Sequence, residues 1–388
     1  MAGLVVAANL RPAVASVGPE LDPLRNGLSL SPAGAAVLTA VPVFCFGALA
    51  PAGPWLSRRV GLRAAVAMLV ALLVAGLVLR IGPDVATLFA GTVVAASGIA
   101  AANVLLPVVI KRDFATRTGL MMGLYTTAVT GGAAAAAGLT VPIGAAVGRG
   151  WRGGLGVWAL AAALAWVMWL PYVRREPARP AAVVSPPAGL RRHWLAWMVT
   201  LFFGLQSLSF YAVLGWLPSL YRSHGYSAAA AGALLSLSSL VQIPTALALP
   251  ALASRMRRQQ TLVVLAVLLT GAGLLAILVA PTAAAALWVV ILGLGQGAAF
   301  ALALTLLVLR TRSHAATAHL SAMAQSVGYL IAGLGPLAVG ALHAATGGWT
   351  AGLILLLALL VPEAIAGLRA AAPGVVDPLT EGTEHDPS

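Results

Sequence analysis

The sequence predicts an all-α membrane protein, with twelve transmembrane helices arranged as two pseudo-symmetric six-helix bundles. Three observations carry that expectation. Of 388 residues, 60% are hydrophobic and only 9% are charged, with a mean hydropathy of +0.96, where soluble domains carry about 25% charged residues. The apolar residues fall in runs long enough to cross a hydrocarbon core of roughly 30 Å at about 1.5 Å per residue. The basic residues, finally, collect in alternate gaps between those runs.

Taken in order, the apolar runs cover about 1–18, 31–57, 62–80, 84–110, 117–147, 152–173, 194–221, 226–253, 260–280, 283–309, 315–343 and 349–368. Several are long enough to require tilting or kinking. The first is unusual, because Asn9-Leu10-Arg11-Pro12 sets a charge and a helix breaker about halfway across it. No Lys or Arg precedes this run and Arg11-Pro12 interrupts it, so a cleaved signal peptide is a poor reading. Its flank is short enough to expect a start upstream of Met1. The single cysteine, Cys45, excludes an intramolecular disulfide and reads as core.

Orientation follows from charge. With the amino terminus in the cytoplasm, 17 basic residues fall in inner loops and tails, and five, Arg25, Arg80, Arg149, Arg152 and Arg222, fall outside. The positive-inside rule then places both termini in the cytoplasm, as for a multi-pass protein of a bacterial inner membrane. It also accounts for most of the net charge of +13 without a nucleic-acid partner. A basic, proline-rich stretch divides the chain into an N-terminal bundle (1–175), a cytoplasmic linker (176–192) and a C-terminal bundle (193–370). An acidic, disordered tail (371–388) is expected to follow. The halves repeat weakly: Pro54 to Arg59 and Pro250 to Arg255 share Pro-x-Leu-x-x-Arg. A duplicated six-helix half suits rocking of one bundle against the other around a midplane site.

Polar side chains mark which spans line such a site. The third, sixth, ninth and twelfth are nearly bare, with Glu363 towards the cytoplasmic end of the last. Polar groups gather elsewhere: Asn9 and Arg11 in the first span, Asn103 in the fourth, Tyr125 in the fifth, Gln206 and Tyr211 in the seventh, Gln296 in the tenth, Gln325 and Tyr329 in the eleventh. Helical spacing puts Phe202, Gln206, Ser209 and Phe210 on one face, and Ser321, Gln325 and Tyr329 on another. Such groups serve either a solute site or helix packing, where cross-helix bonds contribute about 0.6 kcal/mol on average.

Arg11 carries the sharpest expectation. A charge at the bilayer centre costs roughly 2.5 to above 10 kcal/mol if unpaired and lipid-facing, so Arg11 must face an internal cavity. Its planar fork of donors suits small oxyanions. No Asp or Glu lies centrally in any span to neutralise it, which makes a substrate anion the candidate counter-charge. Pro12 frees the carbonyl of Ala8 for other partners.

Individual stretches resemble the major facilitator superfamily, and within it the bacterial cyanate transporter and 2-nitroimidazole exporter family. The residues concerned are Asn9 to Pro12 with Ser16 to Pro19, Pro107 to Arg112, Gly123 to Thr126, Trp216 to Pro218, Gly293 to Gly297, and Met323 to Tyr329 followed by Gly335-Pro336. The resemblance implies the major facilitator fold and secondary transport of a small, planar, often anionic or nitroaromatic solute. It also implies an inner gate at Arg58, Arg59, Gly61 and Arg63. Arg58 stands where the superfamily carries an aspartate, so its usual charge latch does not carry over.

The function expected is therefore alternating-access transport of a small anion around Arg11, Asn9, Asn103, Tyr125, Gln206, Phe210, Tyr211, Gln296, Gln325 and Tyr329. Partners are the solute, the bilayer and in some coupling schemes protons, with a monomer as the working unit and no cofactor or metal. Export of neutral nitroaromatic or drug-like compounds is the alternative, and an anion channel ranks lower because a two-half repeat suits rocking better than a symmetric pore. No His/Asp/Glu cluster or phosphate-binding loop supports an enzyme or an ATP-driven pump.

Overall fold

A computed structural model describes residues 2–114, 118–173, 193–256, 258–312 and 314–376. All regular structure among them is helical. The first span is α1 (Ala2–Ala8) and α2 (Pro12–Ala15), and a short amphipathic helix, α3 (Leu21–Leu28), caps one end of the molecule. Then come α4 (Pro32–Leu49) with its extension α5 (Ala52–Val60), α6 (Leu62–Leu79), α7 (Val85–Asp113), α8 (Thr118–Val147) and α9 (Gly150–Val173). The second half comprises α10 (Trp194–Ser223), α11 (Ala228–Leu240) continued by α12 (Gln242–Arg255), α13 (Gln260–Val279), α14 (Ala285–Leu309), α15 (His314–Thr346) and α16 (Thr350–Ala370). Eleven spans are long and apolar enough to cross a bilayer, with α11 and α12 forming one of them. The twelfth is the broken Ala2–Ala15 segment, which is shorter.

The bare spans lie at the periphery. Leu160 and Leu164 on α9, Leu265 and Leu268 on α13, Met68 and Val78 on α6, and Ile354 and Val361 on α16 are all exposed large apolar side chains. Lipid, not water, is the solvent such surfaces require. The bundles meet instead through α4 against α15 and α8 against α11 and α12. Towards the α3 end this contact is made backbone to backbone. A Cβ on Gly18 would lie 2.6 Å from the Leu214 carbonyl oxygen, and one on Gly232 would lie 2.5 Å from that of Ala137. Away from α3 the helices loosen: Gly131 has no neighbour within 4 Å of a built Cβ, and Thr126, Thr130, Ser321 and Gln325 are half-buried. The bundles are thus closed backbone to backbone at the α3 end and meet through side chains at the other, where a Cβ on Gly123 of α8 would lie 3.2 Å from Leu247 of α12.

The break in the first span needs partners for its freed backbone groups. Asn9 and Leu10 donate back to the Val6 and Ala7 carbonyls at 3.0 and 3.1 Å, and Pro12 starts α2 where no N–H is required. The freed Ala8 carbonyl lies in the space that a side chain on Gly132 of α8 would fill. Arg80 ties down the far side. The residue counted among outer-loop charges proves fully buried, at 0% exposure, just past the end of α6. It donates from Nη1 to the Ala13 carbonyl at 2.5 Å and from Nη2 to Ser16 Oγ at 2.9 Å.

Two further positions differ from expectation. Residues 371–376, read as the start of the tail, pack against the fold, with the buried Val376 donating its amide to the Arg310 carbonyl at 2.7 Å. The segment 377–388 and the linker 176–192 lie outside the described residues. Glu363 is the fourteenth of 21 residues in α16 and is 2% exposed. The twelfth span therefore holds a buried carboxyl, deeper than its sequence position suggested.

Arg80→Ala would leave the Ala13 carbonyl and Ser16 hydroxyl without their donors, a loss of about 2–4 kcal/mol for bonds to a charged group. We expect a clearly lower melting temperature in detergent, with Arg80→Lys recovering only part because it cannot span both acceptors. Unchanged melting in Arg80→Ala would show that the clamp is dispensable. Gly232→Leu should pry α11 from α8 at the α3 end. In a Cys45→Ala background with a Thr39→Cys reporter, it should speed labelling by a membrane-impermeant maleimide; equal rates would refute backbone closure there.

Candidate functional site

Arg11 lies at the turn between α1 and α2, 9% exposed, with its guanidinium reaching across to the other bundle. Its Nη1 donates to the Tyr211 hydroxyl of α10, and its Cζ stands 5.6 Å from that ring's centroid. The Tyr329 and Tyr125 hydroxyls are its other electrostatic neighbours. Depth follows from the long helices. Tyr211 is the eighteenth of 30 residues in α10, so Arg11 bonds at the middle of that helix, and Tyr329 is the sixteenth of 33 in α15. No ion pair to Arg11 is present among the described residues.

Aromatic rings enclose this group. Tyr211 and Tyr329 are 6.2 Å apart between centroids, at 71°. Phe46 of α4 packs on both, at 6.3 and 5.7 Å, Phe203 sits edge-on to Tyr329 at 5.3 Å, and Phe210 sits edge-on to Tyr211 at 5.2 Å. Neither Phe46 nor Phe203 was among the sequence candidates. In an apolar run a phenylalanine gives no signal, although Phe203 lies one turn from Gln206 and Phe46 one residue from Cys45.

The structure does not bring all the candidates together. Asn9 spends its side-chain amide on the Val5 carbonyl at 2.9 Å, one turn back on its own helix. Gln206, 3% exposed, donates to the Phe203 carbonyl at 3.0 Å and to Ser207 Oγ at 2.6 Å. Its Oε1 has no protein partner, nor has that of Gln296, whose Nε2 reaches Ser209 Oγ at 3.4 Å. Five residues separate Gln206 from Tyr211, which turns them about 140° apart at 100° per residue. Ser209 and Gln296 pair within the second half, and Phe202 packs against Gly367 of α16. Gln325 donates to Ser321 Oγ at 2.8 Å on the loosened side, and Asn103 is half-buried on α7.

The expected gate residues lie at the end away from α3. Arg58 and Arg59 are exposed, Arg59 stacking over Trp55 at 4.5 Å. Gly61 turns the chain from α5 into α6 at φ +88°, a left-handed conformation that favours glycine. Arg63 pairs with Asp113 at the end of α7 at 3.0 Å. The missing loop aspartate is thus replaced in space by a carboxylate fifty residues on, within the same half of the molecule. Among the described residues, no cluster of three or more His, Cys, Asp or Glu forms a metal site.

A family model described as Major Facilitator Superfamily matches residues 10–336. Three relatives align over most of their length. The uncharacterized transporter YycB of Bacillus subtilis (strain 168) is 37% identical over 94% of this chain and 91% of its own. The 2-nitroimidazole transporter of Escherichia coli (strain K12) is 36% identical over 95% and 93%, and the cyanate transport protein CynX of the same organism 34% over 89% and 90%. Among solved structures, a bacterial homologue of the human lysosomal transporter Spinster, inward-facing and unoccupied, superposes with a TM-score of 0.77 at 16% identity, covering 95% of each chain. The partially occluded, inward-open xylose transporter XylE of E. coli gives 0.73 at 12% identity, over 94% of this chain and 95% of its own. These two show the shared fold. With the family model spanning most of the sequence and relatives above 30% identity along nearly its full length, the chain belongs to the Major Facilitator Superfamily, as a membrane transporter and not an enzyme.

Proposed function

We propose that this secondary transporter moves a small, planar anion by alternating access, with Arg11 as the midplane contact for the solute. The observation that carries the reading is a buried, central guanidinium held by a tyrosine hydroxyl and by no carboxylate among the described residues. A buried cation is stable only with a counter-charge or a full set of acceptors. A solute that supplies both while bound, and removes both on leaving, fits that vacancy. Tyr211, Tyr329 and Tyr125 would share its polar edge, and Phe46, Phe203 and Phe210 its flat face. One relative is named for cyanate and another for 2-nitroimidazole, both small and flat.

The reading extends to topology. The basic residues argue for both termini in the cytoplasm of a bacterial inner membrane, so the α3 end faces outward. The two halves would move as units, 1–175 and 193–370 joined by 176–192. Moving an anion inward against 100 mV costs about 2.3 kcal/mol, so uptake needs a proton, an exchanged solute or a concentration gradient, while export runs downhill. The aromatic enclosure favours a second reading, export of neutral nitroaromatics, in which Arg11 engages a nitro group.

Flux into proteoliposomes with imposed pH and voltage gradients tests the assignment. Arg11→Ala and Arg11→Lys should both lose cyanate transport at least tenfold while keeping their melting temperature, since a point charge does not replace the fork. Normal cyanate flux in Arg11→Ala would sink the anion site; if 2-nitroimidazole then still moved, the exporter reading would take its place. Tyr211→Phe removes one hydroxyl whose bond to a charged group is worth about 1.5–3 kcal/mol, so a rise in KM of at least about tenfold is expected. No change in KM would take Tyr211 out of the site.

A further inference from the structure

A cavity of about 450 Å³ opens at the α3 end, at the level of the bundle closure. Asp22 and Arg25 of α3 line one side, and Arg222 of α10, His343 of α15, Trp216 and Trp349 line the other. Between it and Arg11 lies the seal of Gly18 against the Leu214 and Gly215 carbonyls.

The cavity's charges do not balance. Asp22 is paired with Arg222 at 2.9 Å and accepts from Ser219 Oγ at 3.5 Å. Arg25 has no hydrogen-bond or ion-pair partner among the described residues, and its Nε is buried. Glu20 is the other acid nearby, but it is buried against Gly154 instead of lining the cavity. Its carboxyl is pushed up by burial, towards the neutral form, with Arg222 opposing. His343 gives Nδ1 to the Gly348 carbonyl at 3.2 Å and stacks on Trp349 at 3.8 Å and 9°. Trp349 donates Nε1 to Ser223 Oγ and lies 5.5 Å from Trp216. Both indoles thus stand fixed, with Trp216 bonded to the Pro336 carbonyl at 2.9 Å.

Of the other outward arginines, Arg80 clamps the first span, Arg152 lies on Trp151 and reaches the Gly82 and Pro83 carbonyls, Arg222 is paired with Asp22, and Arg149 is exposed outside the cavity lining. Arg25 lines the cavity with no such duty. An uncommitted guanidinium beside fixed aromatic planes, in a space of ligand size, matches a planar anion that stacks while it pairs. We infer that this cavity is an outer binding site for planar organic anions, in which Arg25 pairs the charge and the His343–Trp349 stack holds the ring. It rests on the transport reading only for its place on the solute's route. Bound there, an anion also competes with Asp22 for Arg222, the ion pair joining α3 to α10 across the closed end.

The test uses the full-length protein in detergent with 4-nitrobenzoate, an anion whose nitroarene quenches tryptophan fluorescence, and nitrobenzene as the neutral control. Arg11→Ala removes the midplane contact and should retain one saturable 4-nitrobenzoate site by equilibrium dialysis, with quenching. Adding Arg25→Gln should weaken that site at least tenfold without lowering the melting temperature, and Trp349→Phe should reduce the quenching. Nitrobenzene binding should not respond to Arg25→Gln. Absence of saturable binding in Arg11→Ala, or equal binding in Arg11→Ala and the double variant, would overturn the inference. Failure of the midplane reading looks different: wild type and Arg11→Ala would then bind identically, with only Arg25→Gln showing a loss.

Discussion

The constraint on which the structure depends is the break in the first span. A helix that crosses a bilayer must satisfy its own backbone groups, because the hydrocarbon offers no substitute. Pro12 prevents that over one turn. Several otherwise unrelated residues answer the same need: Asn9 bonds back to Val5, Gly132 leaves room for the Ala8 carbonyl, and Arg80 reaches from α6 to Ala13 and Ser16. The break in turn frees Arg11 from the regular helical direction and lets it cross to α10. A straight first helix would have needed none of these residues and would have directed Arg11 by helix phase alone.

Much of the architecture was legible in the sequence because lipid imposes a simple pattern. Spans nearly bare of polar side chains had to be peripheral, and Leu160, Leu265 and Ile354 are exposed as that requires. Arg11 was legible because a mid-span charge has few physical solutions. The walls of its surroundings were less so. Periodicity placed Phe202, Gln206, Ser209 and Phe210 on one face but could not say that Ser209 meets α14 and Phe202 meets α16 while Phe210 packs on Tyr211. Phe46 and Phe203 were invisible because an apolar ring in an apolar run carries no contrast. Arg80 was misread for the opposite reason: a basic residue at a span end fits the topological rule so well that a structural role was not needed to explain it.

The gate region shows the same limit. The substitution of Arg58 for the usual aspartate is a local fact of sequence, and its remedy is not local, since the carboxylate that meets Arg63 comes from Asp113 on another helix. Both residues are partly solvated, with side-chain exposures of 16% and 23%, so the pair contributes on the order of 1 kcal/mol or less. It positions the start of α6 against the end of α7 more than it holds the halves shut. Closure at the α3 end uses a different device. There, glycine lets backbones approach, and the contacts are many and individually weak. Apart from the half-exposed Asp22–Arg222 pair, such an interface separates without breaking any single strong bond, which suits the proposed rocking of the halves.

The same reasoning bears on what an empty carrier can do. Closing both ends around Arg11 without a solute leaves its charge desolvated, at an effective penalty of several kcal/mol. The Tyr211 hydroxyl offsets about 1.5–3 kcal/mol of that by accepting one charged hydrogen bond, and it brings no negative charge. On the proposed reading, the empty closed state therefore lies above the loaded one, because the anion neutralises the guanidinium and fills its remaining donors. The asymmetry slows return of the empty carrier whichever way the solute moves. It favours exchange, in which both transitions are made loaded, over simple one-way release, and it places control of that balance in the phenolic group of Tyr211.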